Sequence, residues 1–285
     1  MILRHFTIPQ ISVFLIACWG ITGTARAQDF KVYTPVFDLA ATETSPRAGQ
    51  RPQPPIVARS VCYFHAGKAY DHVEAEQADQ QVLIYEPNAQ RFTVLHTSRG
   101  MATTISFEEI EQMVHDAEVK AQNYVLRARE KNLDPTRINM IAFQLEPSFK
   151  ETFDPHRNTL TLKSDHMNYQ VKCEATDSPE RVQSYLKYCD WMARLNFVLH
   201  PQAPLPGPRL TLNGRLTDHK VIPMEVTLRA AIGGGINLKA EHKYTWQLDP
   251  NDRERIHQWQ TLLQSEDTQH VPFNRFREIQ LAEKR

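Results

Sequence analysis

The 285-residue chain has no excess charge of either sign, with 33 lysines and arginines against 33 aspartates and glutamates. A balanced surface creates no field that gathers nucleic acid or an anionic membrane, so neither is expected as a partner. Past its first 27 residues the chain has no apolar run long enough to span a bilayer, so no transmembrane segment is expected after the leader. Cysteine is scarce, at four residues. Three of these, Cys62, Cys173 and Cys189, follow the leader, and an odd number excludes a fully paired disulfide framework. One bridge between Cys62 and Cys173 and three buried thiols are both open readings. Catalytic signatures are also missing: there is no His-Glu-x-x-His, no CxxC pair, no GxSxG elbow and no Walker loop. No catalytic residue, cofactor or metal site is therefore assigned. Enzymatic activity would need a dispersed site, gathered by the fold from distant segments.

What is present begins with an export signal. Arg4 and His5 precede the apolar run Ile11–Ala17, and Ala25-Arg26-Ala27 places small residues at a signal-peptidase site. Cleavage after Ala27 is expected, giving an exported, periplasmic or extracellular protein. Removing 27 of 285 residues leaves 258, enough for a large buried core. The rival cut is at Leu15-Ile16-Ala17-Cys18, which fits a lipobox and would anchor the chain through an acylated Cys18. Residues 28–39 read as a first strand or arm, with Pro35 marking an edge or a bend. Residues 40–57 form a Pro-rich loop, 58–264 a single α+β domain, and 265–285 a polar, loosely held tail.

The stretch from Arg59 to His96 organises the domain. Val61-Cys62-Tyr63-Phe64 and Val82-Leu83-Ile84-Tyr85 are short runs rich in β-branched and aromatic residues, which reads as strand. Ala66-Gly67-Lys68 and Glu86-Pro87-Asn88-Ala89-Gln90 are turns, and Arg91–Val94 alternates as a returning strand. The result is a β-meander. Two of its strands are apolar on both faces, whereas a strand with one wet face alternates. Something must therefore cover the second face: a helix, another sheet or a bound apolar ligand.

Gly67-Lys68-Ala69-Tyr70 followed by Ile84-Tyr85-Glu86-Pro87-Asn88-Ala89-Gln90-Arg91-Phe92-Thr93-Val94 resembles the meander of the periplasmic lipoprotein-carrier (Lol-type) superfamily. The resemblance implies a curved antiparallel sheet opened into a half-barrel, with helices on its concave side and acyl chains held there. The sequence departs from that pattern by an acidic insert, Glu74 to Gln80, and no functional residue of the family transfers position by position.

Beyond the meander, Ser106-Phe107-Glu108-Glu109 is a capping box that opens a helix to about Lys131. Ile138–Leu145 is ambiguous between strand and helix. Leu160–Leu162 and Tyr169–Val171 alternate cleanly as a hairpin. Pro179–His200 is a helix with an unusual aromatic load: Tyr185, Tyr188 and Trp191. The Pro-rich run Pro201–Pro208 is a turn. Met224–Arg229 and Leu238–Leu248 are strands joined through Gly233-Gly234-Gly235, and Asp249-Pro250-Asn251-Asp252 caps a last helix. The expected fold class is α+β: a curved antiparallel sheet, an open half-barrel, with about three helices packed on it.

Three functions follow. The first is a non-catalytic binding module for an apolar or acyl ligand, lined by Phe64, Tyr85, Phe92, Trp191 and Trp246. The second is a structural or assembly protein that presents its sheet face to a protein partner. The third is a hydrolase with a dispersed site. His65, Asp71 and His72 flank one turn, but their spacing fits no standard metal-ligand arrangement.

Overall fold

The computed structural model describes residues 29–43, 53–75, 78–176, 178–200, 202–231 and 235–282. Residues 1–28 with Cys18 and Ala27, most of the stretch expected to be a Pro-rich loop, and Gly233 and Gly234 lie outside the described residues. The chain opens with β1 (Phe30–Asp38) and a single helical turn, α1 (Ala40–Glu43). The meander follows as β2 (Ile56–His65), β3 (Lys68–Ala75), β4 (Ala78–Glu86), β5 (Arg91–His96) and β6 (Met101–Ser106). Next come α2 (Phe107–Glu130), α3 (Pro135–Leu145), β7 (Lys150–Asp154), β8 (Thr159–Lys163), β9 (Met167–Ala175), α4 (Pro179–Leu199) and α5 (Gly207–Asp218). The chain ends in β10 (Val221–Ala230), β11 (Ile236–Glu241), β12 (Lys243–Thr245), α6 (Pro250–Gln264), β13 (Gln269–His270) and α7 (Phe273–Ala282).

All 13 strands among the described residues join one sheet in the order β13-β6-β5-β4-β3-β2-β1-β11-β10-β9-β8-β7, with β12 pairing β1 off that path. Every pairing is antiparallel except that of β13 with β6. The two ends do not meet, so the fold is α+β with an open, mostly antiparallel sheet. The β7 edge carries exposed Lys150 and Glu151, charges that discourage pairing with another chain. At the other end β13 and α7 lie along β6.

Local chemistry explains most of the elements. Ala66 and Gly67 both take positive φ, 49° and 74°, as the two-residue turn between β2 and β3 requires. At the next turn the left-handed residue is Gln90, with φ 48°, and Pro87–Ala89 forms a 3-10 turn. The capping box of α2 is complete: Glu109 N–H donates to Ser106 Oγ, and Ser106 N–H donates to Glu109 Oε2.

Among the described residues six helices have ten or more residues, in place of the expected three or so. Ile138–Leu145 belongs to α3, because the Asp134 side chain accepts the Thr136 N–H and Pro135 takes a first-turn position. α5 hides behind Pro206 and Pro208, whose missing N–H groups do no harm at a helix start. The stretch from Ser265, expected to be loose, carries β13 and α7, with Phe276 completely buried.

β1 is central and not an edge, although it contains Pro35. Its partner strand is interrupted where the proline has no N–H to give. Lys31–Tyr33 pairs with β12 and Val36–Asp38 with β11, and His242 falls in the gap between them. The expected single strand Leu238–Leu248 is thus broken in two.

The two halves of the sheet bury differently. In β2 to β6 both faces are apolar. Cys62, Phe64, Leu83, Tyr85, Phe92 and Val94 face the main core, beneath α2 and α4. Tyr63, Tyr70, Val82, Ile84 and Leu95 face the back, where Ile256 and Trp259 of α6 cover them. The chain's own helix is therefore the second cover. In β8 to β11 the front residues, among them Leu160, Met167, Val171 and Val226, join the main core. Their neighbours Gln170 and Lys172 point back into water.

Candidate functional site

The five aromatic candidates fall into the main core or against it. Phe64 stacks on Phe30, with ring centroids 4.1 Å apart, and meets the Tyr188 ring edge-on at 5.5 Å. Tyr85 contacts Phe92 at 5.3 Å and Tyr188 at 5.8 Å. Trp191 stacks on Phe107 at 3.7 Å, and half-buried Trp246 lies tilted at 5.6 Å from Phe30 and stacked on Tyr244 at 5.3 Å. Tyr185 and Tyr188 of α4 thus meet rings of the sheet, and Trp191 meets Phe107 at the start of α2. In this half the contacts leave each ring with a protein partner.

Below the rings lies a buried polar layer that sequence reasoning missed. Strand alternation turns Asp71 inward, directly opposite Cys62. Tyr188 donates a 2.5 Å hydrogen bond to Asp71 Oδ2. Oδ1 has no partner of good geometry, and the Ser60 hydroxyl only moderates the cost of burial. Burial raises the Asp71 carboxyl to about 6, against the pull of Tyr188 and Ser60. The same burial raises the Tyr188, Tyr185 and Cys62 hydroxyl and thiol pKa values, so all three stay protonated donors.

His242 contacts the Thr34 hydroxyl at 3.0 Å and the Tyr185 hydroxyl at 3.3 Å through Nδ1. Burial, with the Arg209 charge adding to it, lowers its pKa to about 3 and keeps the ring neutral. Asp71 and His242 hold different tyrosines, so they do not form an acid–base–nucleophile relay with each other.

His65, Asp71 and His72 do not converge. His65 pairs with Asp29 at 3.0 Å, and His72 lies tilted against the Trp259 ring at 5.5 Å, on the opposite face from Asp71. Cys62, Cys173 and Cys189 are free and buried. Cys62 on β2 and Cys173 on β9 are four strand positions apart, about 19 Å at the usual strand spacing, too far to bridge.

The open half of the sheet carries a groove of about 260 Å³ on its core side. Its floor comes from four neighbouring strands: Val36 of β1, Leu238 and Ala240 of β11, Val226 and Leu228 of β10, and Met167 and Tyr169 of β9. The register places Val36 beside Ala240, Leu238 beside Leu228, and Leu228 beside Tyr169, so these side chains share one face. The roof is Ala193 and Asn196 of α4 with the Pro-rich turn and the start of α5. None of the five aromatic candidates lines this groove.

The roof is pinned by a close approach. A Cβ on Gly207 would sit 2.6 Å from the Gln144 carbonyl oxygen, so only glycine lets α5 begin there. Gln144 Oε1 also accepts the Leu205 N–H at 2.9 Å. Half-buried Arg209 lines the groove from the first turn of α5. The signal that could have found it is Leu212 and Leu216, four apart and both completely buried, which mark a helix face.

No protein-family model matches the chain, and none of the curated proteins does.

Proposed function

We propose that this chain is an exported, non-catalytic binding module that holds an apolar or acyl ligand in the groove between β1, β11, β10, β9 and the α4–α5 roof. The observation that carries this reading is the groove itself: an apolar floor left unfilled on the face that helices fill elsewhere. Each Å² of apolar ligand surface taken from water there contributes roughly 25 cal/mol, so few polar contacts are needed. An open antiparallel sheet with helices on the groove side also agrees with the half-barrel that the lipoprotein-carrier resemblance implies. The aromatic residues first expected as lining would then act as the wall that stops the ligand from entering the closed half.

The test is extraction of the purified protein with organic solvent, together with titration of a fluorescent long-chain acyl probe. A stoichiometric lipid, or saturable probe binding that Ala193→Trp abolishes, is the expected result. No extracted lipid and no probe binding would overturn the reading.

An assembly protein is a second reading, favoured by one observation. The exposed large apolar residues among those described, Val119, Leu126 and Leu133, all lie on α2 or the turn after it. The contact would then be a helix and not the sheet face. A strict monomer by light scattering removes this alternative.

A further inference from the structure

We infer that the groove takes a free fatty carboxylate, its headgroup on Arg209 and its chain along the Leu228–Leu238–Ala240 floor. This inference rests on the groove being a ligand site. Arg209 is the charged residue among those lining it, and no acidic side chain lines it. Its Nε donates to Asn213 Oδ1 at 3.1 Å, and its other protein contact of this kind is the Cys189 thiol. Among the described residues no carboxylate pairs with it: Asp190, the nearby acid, instead accepts from Asn213 Nδ2 at 2.8 Å.

A guanidinium cannot shed its proton, so holding it half-buried with no counter-charge beside it carries a desolvation cost that an anion would offset. The usual resolution is a partner anion, and two-pronged donation suits a carboxylate. The neighbouring groups do not supply that charge. His242 is neutral, and Tyr169, whose hydroxyl pKa burial raises, stays an uncharged donor.

Size sets the chain. About 260 Å³ is roughly nine liquid-water volumes, near the lower bound for ligand pockets. A medium-length chain fits inside, and a longer one would leave by the open side. A diacyl lipid is too large to be enclosed.

The experiment compares decanoate with methyl decanoate as competitors of a fluorescent acyl probe, on the full mature protein and on Arg209→Met. The acid should bind about ten- to a hundred-fold more tightly than the ester to the unmodified protein, the range of a charge-assisted hydrogen bond. Arg209→Met should remove that preference while ester binding is kept. Equal binding of acid and ester by the unmodified protein overturns the carboxylate inference and leaves the binding module standing. A preference that survives Arg209→Met overturns the role of Arg209. Binding of neither compound overturns both this inference and the reading beneath it. The acid–ester comparison on the unmodified protein decides even where Arg209→Met fails to fold, and Arg209→Lys, which keeps the charge, should retain the preference.

Discussion

The meander half of the sheet and the β8–β11 half share a front core, yet they solve different problems. In the meander, strands apolar on both faces need two covers, and α4 on one side and α6 on the other supply them. In the second half the strands alternate, one face meets water directly, and the helical cover over the other face stops short of sealing it. Tight packing and a place for a ligand are therefore separated along one continuous sheet. The aromatic rings that most resemble a binding surface in sequence are used up in mutual contact. The groove floor is mostly aliphatic, with Tyr169 its one aromatic ring.

The comparison can be broken first at the back faces. Ile84→Lys places a charge beneath α6, in a position only 3% exposed, and should cost more than about 4 kcal/mol or prevent folding. Gln170→Lys, on the wet back of β9, should change stability by less than about 0.5 kcal/mol in urea unfolding. Similar losses from both would show that the two back faces do not differ.

The next effect has the opposite sign. The Asp71 carboxyl titrates near 6 when folded and near its ordinary 3.8 when unfolded, so the folded state holds the proton more tightly. That contribution to stability is full below 3.8 and is lost as pH rises through 6, leaving an ionised Asp71 that costs about 3 kcal/mol. Asp71→Asn should therefore stabilise the protein by up to about that amount at pH 8, and by little at pH 4. His242 works the other way. Its folded pKa is lowered to about 3, so its contribution is full above 6.5 and is lost as pH falls toward 3. The variant must then be compared with the parent at each pH, and a gain that grows on acidification would contradict the assignment. A smaller loss is expected in the groove floor than in the closed half. Leu228 is only half-buried, so Leu228→Ala should cost about 1 kcal/mol, less than the roughly 3 kcal/mol of Leu83→Ala in the closed half.

Much of this architecture was legible. Two-face apolarity at Val61–Phe64 and Val82–Tyr85 required a second cover, and clean alternation at Tyr169–Val171 marked a wet face. The capping box at Ser106 and the helix cap at Asp249 were read directly, because their chemistry is local. The remainder depends on distance in the chain. Pairing Tyr188 with Asp71 joins residues 117 apart, which no local pattern records. Arg209 was hidden for a different reason: the prolines before it read as a turn, and the helix they begin was not recognised.

Hydrogen exchange of the protein, with and without decanoate, bears most directly on the division between a closed half and a ligand-holding half. The account predicts new protection confined to 193–209 and to the strands 224–240, with 61–95 unchanged. Protection appearing among Phe64, Tyr85 and Phe92, or nowhere, would contradict it.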